Sequence, residues 1–118
     1  MAHKFLSTSK TGDVHVLALA LPQTLDHSEF DDLNQALLEQ LDSHPAARWV
    51  LDLTQAAYMG SSMLGLMVNI RQRVIQSKGK LVLCCLSPRL MDIFKTCSLE
   101  RLFVIVPSRA DALRGLGT

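Results

Sequence analysis

The sequence predicts an α/β fold with a mixed, mainly parallel sheet, and three features carry that expectation. From residue 14 onward, strand-like apolar runs alternate with amphipathic helical runs, which is the pattern of strand-helix-strand crossovers. The run Leu81-Val82-Leu83-Cys84-Cys85-Leu86 is apolar without a break, as in a central strand covered on both faces. Two extended segments around a short polar turn open the chain, so an N-terminal hairpin adds one antiparallel strand. The expected order is β-β-α-β-α-β-α-β-α, with about four helices and right-handed crossovers, in a single domain spanning residues 1–118.

Each element has its own local cause. Phe5 to Ser9 and Val14 to Leu21 flank Lys10-Thr11-Gly12-Asp13, a turn-type sequence. After Pro22-Gln23-Thr24-Leu25, Asp26 and Glu29 have capping-box spacing, and Phe30, Leu33, Leu37 and Leu41 then recur at helical intervals until His44-Pro45 stops the helix. Arg48 to Leu53 forms a compact buried strand. Ser61-Ser62 stands at the next helix start, Met63, Met67, Ile70 and Val74 form its apolar stripe, and Gly79 is placed as its C′ residue. Lys80 to Leu86 is the next strand. Ser87-Pro88 then supplies a cap and a first-turn proline, with Leu90, Ile93, Phe94 and Cys97 as the buried stripe. A last strand is expected at Leu102 to Val106, and Ser108 with Asp111 starts a short C-terminal helix.

Composition removes several function classes. With 48% hydrophobic and 19% charged residues, the 118-residue chain can bury a core without metal or disulfide staples. A formal net charge of +1 lacks the concentrated basic field that nucleic acid or an anionic membrane would require. No apolar stretch approaches a membrane span, and Met1-Ala2-His3-Lys4 leads into no signal-peptide core, so the cytoplasm is the expected address. Cys84, Cys85 and Cys97 are an odd set inside apolar segments and read as reduced, buried thiols, with Cys84 and Cys85 on opposite strand faces.

The motifs of catalysis are incomplete. Gly60 and Gly65 have phosphate-loop spacing, but Leu66 and Met67 stand where Lys and Ser or Thr belong. A nucleophile elbow at Ser62 would need glycines on both sides, and Leu64 occupies the second position. His3, His15, His27 and His44 are scattered in no zinc-site spacing and read as surface residues, so neither a metal nor another cofactor is expected. Asp26, Glu29, Asp31 and Asp32 sit at one helix start, where the helix dipole explains them. What survives is Met59-Gly60-Ser61-Ser62-Met63-Leu64-Gly65, two hydroxyls at a helix start beside unpaired backbone N–H groups, where either serine could simply be an N-cap.

Across nearly its whole length the chain resembles a STAS domain, the fold of bacterial anti-sigma factor antagonists and of the cytoplasmic tails of sulfate transporters. The resemblance rests on the opening hairpin, Leu25-Asp26, Val50-Leu51-Asp52-Leu53, Met59 to Gly65, Gly79-Lys80-Leu81 and Leu86-Ser87-Pro88. Antagonist members typically read aromatic-Met/Ile-Asp-Ser-Ser/Thr-Gly-Leu-Gly before the second helix, and the first serine, here Ser61, accepts phosphate. Tyr58, Met59, Ser61, Ser62, Leu64 and Gly65 fit that pattern, whereas Gly60 replaces the aspartate and Met63 the glycine. The resemblance implies a non-catalytic regulator that binds an anti-sigma factor or a histidine-kinase-like serine kinase and is switched at Ser61. It puts Asp26, His27, Gly60, Ser61, Ser62 and Met63 on the partner-facing surface. The alternative within the same family is a stand-alone STAS subunit of an ABC-type lipid transporter, docking on its ATPase, or of a signalling assembly, without phosphorylation.

Overall fold

A computed structural model describes residues 3–117. Met1, Ala2 and Thr118, the ends of the domain expected over 1–118, lie outside the described residues. The elements are β1 (Leu6–Thr11), β2 (Val14–Ala20), α1 (His27–Ser43), β3 (Arg48–Gln55), α2 (Ser61–Gln76), β4 (Lys80–Cys84), α3 (Pro88–Thr96), a 3-10 turn (Leu99–Arg101), β5 (Val104–Val106) and α4 (Arg109–Gly115). Five strands form one sheet in the order β1-β2-β3-β4-β5. β1 pairs antiparallel with β2, and every later neighbour is parallel, so the mixed, mainly parallel α/β sheet with an N-terminal hairpin is as expected.

Alternation along the strands builds a core on each face. Leu17, Leu19, Trp49, Leu51, Leu53 and Leu83 face one side, where Leu33, Leu37 and Leu41 of α1, Met67 and Ile70 of α2, and Leu90 and Phe94 of α3 cover them. On the other side Val14, Val16, Val50, Val82 and Cys84 meet Ala112 and Leu116 from the α4 end. The second core is small, and polar contacts reinforce it. Asp52 is buried there and accepts hydrogen bonds on Oδ1 from Thr54 N at 2.9 Å and Thr54 Oγ1 at 2.5 Å. Its Oδ2 accepts from Arg109 Nε at 2.9 Å, which ties the start of α4 to β3. Burial would raise this carboxyl, but the Thr54 hydrogen bonds and the Arg109 guanidinium outweigh burial and hold it below the usual carboxylate value.

The caps match the sequence pattern. Asp26 Oδ1 accepts from Glu29 N at 2.7 Å while Glu29 Oε1 accepts from Asp26 N at 3.1 Å, a complete capping box. Ser87 accepts from Leu90 N and Ser108 from Asp111 N, each at 3.1 Å.

Five expectations are corrected. Gly79 is not the left-handed residue after α2; Lys78 is, with φ 66. Glycine is needed at 79 because a Cβ there would lie 2.4 Å from the carbonyl oxygen of Ala47, where β3 and β4 converge. Cys84 and Cys85 do not point to opposite faces: β4 ends at Cys84, Cys85 turns with φ 68, and the two sulfurs lie 3.2 Å apart. Cys97 is exposed, because α3 ends at Thr96 and Cys97 is its C-cap, off the buried stripe. The last strand begins at Val104, since the 3-10 turn and Leu102, whose carbonyl accepts from Arg71 Nε at 2.6 Å, take the earlier residues. His15 is not a surface residue; it is half-buried, with ring centroids 4.3 Å from His44 and 4.7 Å from Trp49.

Candidate functional site

Parallel strands put their C-terminal ends on one side of the sheet, and the loops that leave those ends become neighbours. The loop after β2 and the loop after β3 emerge there together. Leu21 N donates to Gln55 O at 3.1 Å and Ala56 N to Leu53 O at 3.0 Å, so both loops start from fixed backbone. Between them lies a cleft of about 440 Å³, lined on one side by residues 21–27 and Phe30 and on the other by Tyr58 and residues 60–63. All six residues expected on a partner-facing surface, Asp26, His27, Gly60, Ser61, Ser62 and Met63, line this one cleft.

Their individual settings differ. Gly60 is the N-cap of α2, with φ −82 and ψ 179, and no side chain caps the helix. Ser61 and Ser62 are therefore the first two helical residues, not caps, and both are exposed. Among the described residues neither hydroxyl has a hydrogen-bond partner. The first bond of the helix ladder is Leu64 N to Gly60 O at 3.0 Å, so the N–H groups of Ser61, Ser62 and Met63 precede it and carry the positive end of the α2 dipole into the cleft.

Asp26 is exposed and its side chain is committed to capping α1, which fixes a carboxylate at the cleft edge. His27 is almost free of the surface, with 93% of its side chain exposed and Nε2 lying 3.3 Å from Asp31 Oδ2. Met63 sits at the floor, only 4% exposed and packed into the large core, as are Met59 and Met67. The methionines spaced by four are thus core, and only Met63 also touches the cleft.

Two contributors were not among the residues expected on the partner-facing surface. Tyr58, 37% exposed, forms part of the cleft wall, and the guanidinium of Arg89 from α3 lies 5.2 Å over its ring, bringing a cation to the same end of the sheet. Residues 21–24 complete the opposite wall. Their signal was positional: an irregular segment straight after a strand parallel to β3 must open on the same side as the Ser61 loop.

Chemically the cleft offers a free hydroxyl, helix N–H groups and an apolar floor. Among the described residues neither serine has a base bonded to it, so neither hydroxyl is activated for nucleophilic attack. Among the described residues no helix is long and apolar enough to cross a membrane.

Comparison with known proteins is consistent along most of the chain. The family model described as "STAS domain" matches residues 7–112. Over 93 residues, 73% of this chain and 80% of the relative, the sequence is 31% identical to BtrV of Bordetella bronchiseptica, named as a candidate anti-sigma factor antagonist. An anti-sigma-factor antagonist (STAS) domain protein of Planctomyces limnophilus superimposes with a TM-score of 0.84 at 19% identity, covering 96% of this chain and 98% of that one. SpoIIAA of Bacillus in its phosphorylated form gives 0.67 at 16% identity, covering 94% and 98%. The chain belongs to the STAS domain family, with the fold of its anti-sigma factor antagonist members.

Proposed function

We propose that residues 1–118 form a single STAS domain acting as a non-catalytic binding module of the anti-sigma factor antagonist type. The cleft carrying Asp26, His27 and residues 60–63 engages an anti-sigma factor or a histidine-kinase-like serine kinase, and phosphorylation of Ser61 releases that partner. The observation that carries this reading is the Ser61 hydroxyl: exposed, at the first position of α2, and without a hydrogen bond among the described residues. A phosphate there brings about −1.5 to −2 charges, which a helix N-terminus tolerates and a complementary acidic partner surface does not. Release therefore needs no refolding. That SpoIIAA exists in a phosphorylated form supports a modifiable residue in a fold of this kind.

A second reading follows from Gly60. With glycine at the N-cap, no carboxylate adjoins Ser61 to orient its hydroxyl for a kinase, which favours a stand-alone subunit docking on an ABC transporter ATPase or in a signalling assembly without phosphorylation. One experiment separates the two. A histidine-kinase-like serine kinase from the same cells is incubated with ATP and either the native protein or Ser61→Ala. Phosphate transfer to the native protein alone supports the switch. Equal transfer to both, or none while the unmodified protein binds a transporter ATPase, sinks it.

A further inference from the structure

The side of the sheet away from α1 to α3 carries a second group of reactive side chains, outside the Ser61 cleft. Cys84 is fully buried in the small core beneath α4, while Cys85 is half-buried and packs against that core. Because Cys85 adopts φ 68, its side chain turns back toward Cys84, and its Sγ donates to Cys84 Sγ across 3.2 Å. Two neighbouring thiols on one side of the chain form a ready-made chelate.

We infer that Cys84 and Cys85 form a binding site for a trivalent arsenical. The sulfur separation sets how far the thiols must move for each of the chemistries open to such a pair. Taking bonds to sulfur of about 2.3 Å, a separation of 3.2 Å closes an angle of roughly 90° at the bridging atom. Trivalent arsenic forms bonds of about this length through its p orbitals, near a right angle, and keeps a lone pair. Tetrahedral zinc would spread the sulfurs to roughly 3.8 Å and demand two more ligands. The third metal-ligating group nearby is Asp52, whose ligand oxygen and both sulfurs lie within 4.8 Å of one another. Its two oxygens already accept from Thr54 and Arg109, so it is not available. A linear two-coordinate cation would need the sulfurs about twice the bond length apart. A direct disulfide is disfavoured from the other direction, since adjacent Cα atoms are about 3.8 Å apart and ordinary disulfides span about 4.4–6.8 Å.

The condensation balances without an oxidant. An arsenous oxide, R–As=O, takes both S–H groups: two As–S bonds form, the As–O bond breaks, both thiol protons leave on the oxygen as one water, and arsenic stays trivalent. Burial, then the hydrogen bond with Cys85 and the Asp52 charge, push the Cys84 thiol up, so it supplies its proton as a neutral thiol. Half-exposed Cys85 is the point of entry.

The test uses reduced full-length protein and one equivalent of phenylarsine oxide, read by intact mass and by alkylation of the remaining thiols with iodoacetamide. The expected result is a 1:1 adduct formed with loss of one water, with Cys84 and Cys85 shielded and exposed Cys97 alkylated. Cys85→Asn, since asparagine tolerates left-handed backbone, and Cys85→Ser as a second variant, should each retain the arsenical at least 100-fold less well against excess monothiol. Cys97→Ser should match the native protein. An adduct on Cys97, full retention in both Cys85 variants, or an adduct formed only by urea-unfolded protein overturns the proposal. So does a Cys84–Cys85 disulfide formed in folded protein by oxidised glutathione, because the geometry that selects arsenic disfavours that bond.

Discussion

Ser61→Ala separates a structural serine from a regulatory one. Had Ser61 been the N-cap of α2, losing its oxygen would cost about 0.5–2 kcal/mol. Gly60 is the cap, the Ser61 hydroxyl bonds nothing among the described residues, and the position is exposed, so no interaction is lost. Alanine is the better helix former by a few tenths of a kcal/mol. The expected outcome is unchanged or slightly raised stability. For a domain of this size 1 kcal/mol moves Tm by roughly 3–6 °C, so the variant should melt within a rise of about 0–3 °C of the native protein. Urea unfolding followed by circular dichroism should show the same slope and a midpoint that does not fall. Ser62→Ala should behave alike. A loss of 1 kcal/mol or more in Ser61→Ala would mean that the hydroxyl holds the helix, and the case for a free, modifiable group would fail.

Other perturbations probe the surroundings. Gly60→Asp brings the new Cβ only into ordinary contact with the Tyr58 ring at 3.9 Å, on a backbone that any residue adopts; capping and the helix dipole together should stabilise by about 0.5–1 kcal/mol, read as a higher Tm, and phosphate transfer to Ser61 should accelerate. Gly79→Ala forces a Cβ to 2.4 Å from Ala47 O, the acceptor of Lys80 N; overpacking plus a weakened strand-start bond should cost about 2–4 kcal/mol in chemical denaturation, and a near-neutral result would mean that the β3–β4 approach relaxes freely. Asp52→Asn removes the charge that holds Arg109 and should cost about 1–3 kcal/mol. Because the native Asp52 carboxyl is held below its unfolded value, its stabilisation is present above about pH 4 and fades as pH falls through the folded value. Acid titration of stability should therefore be flatter for Asp52→Asn than for the native protein, and parallel curves would remove the pair from the account.

Much of the architecture was legible because local and tertiary signals agreed. Asp26 with Glu29, Ser87 with Pro88, and Ser108 with Asp111 all cap as their spacing says. Trp49 to Leu53 and Leu81 to Cys84 are strands because their apolar runs are covered by helices on both faces. The failures share one cause: the backbone at element ends is set by neighbours, not by the residues themselves. Gly79 suggested a helix end, yet its glycine answers to Ala47 across the sheet while Lys78 takes the left-handed turn. Cys85 continued an apolar run but stands in a turn, and Cys97 continued a stripe one residue beyond its helix. At the cleft, Ser61 was identified by motif, but its freedom depended on Gly60 taking the cap, which spacing does not reveal. The tilt of Arg89 over Tyr58 joins residues 31 positions apart and had no local signal.

The most direct test of the central claim is phosphosite mass spectrometry on the protein isolated from its native cells, with the partner-bound and free pools analysed separately. The expected result is phosphate on Ser61 in the free pool and unmodified Ser61 in the partner-bound pool. Equal occupancy in both pools, or phosphate confined to another residue, would contradict the switch.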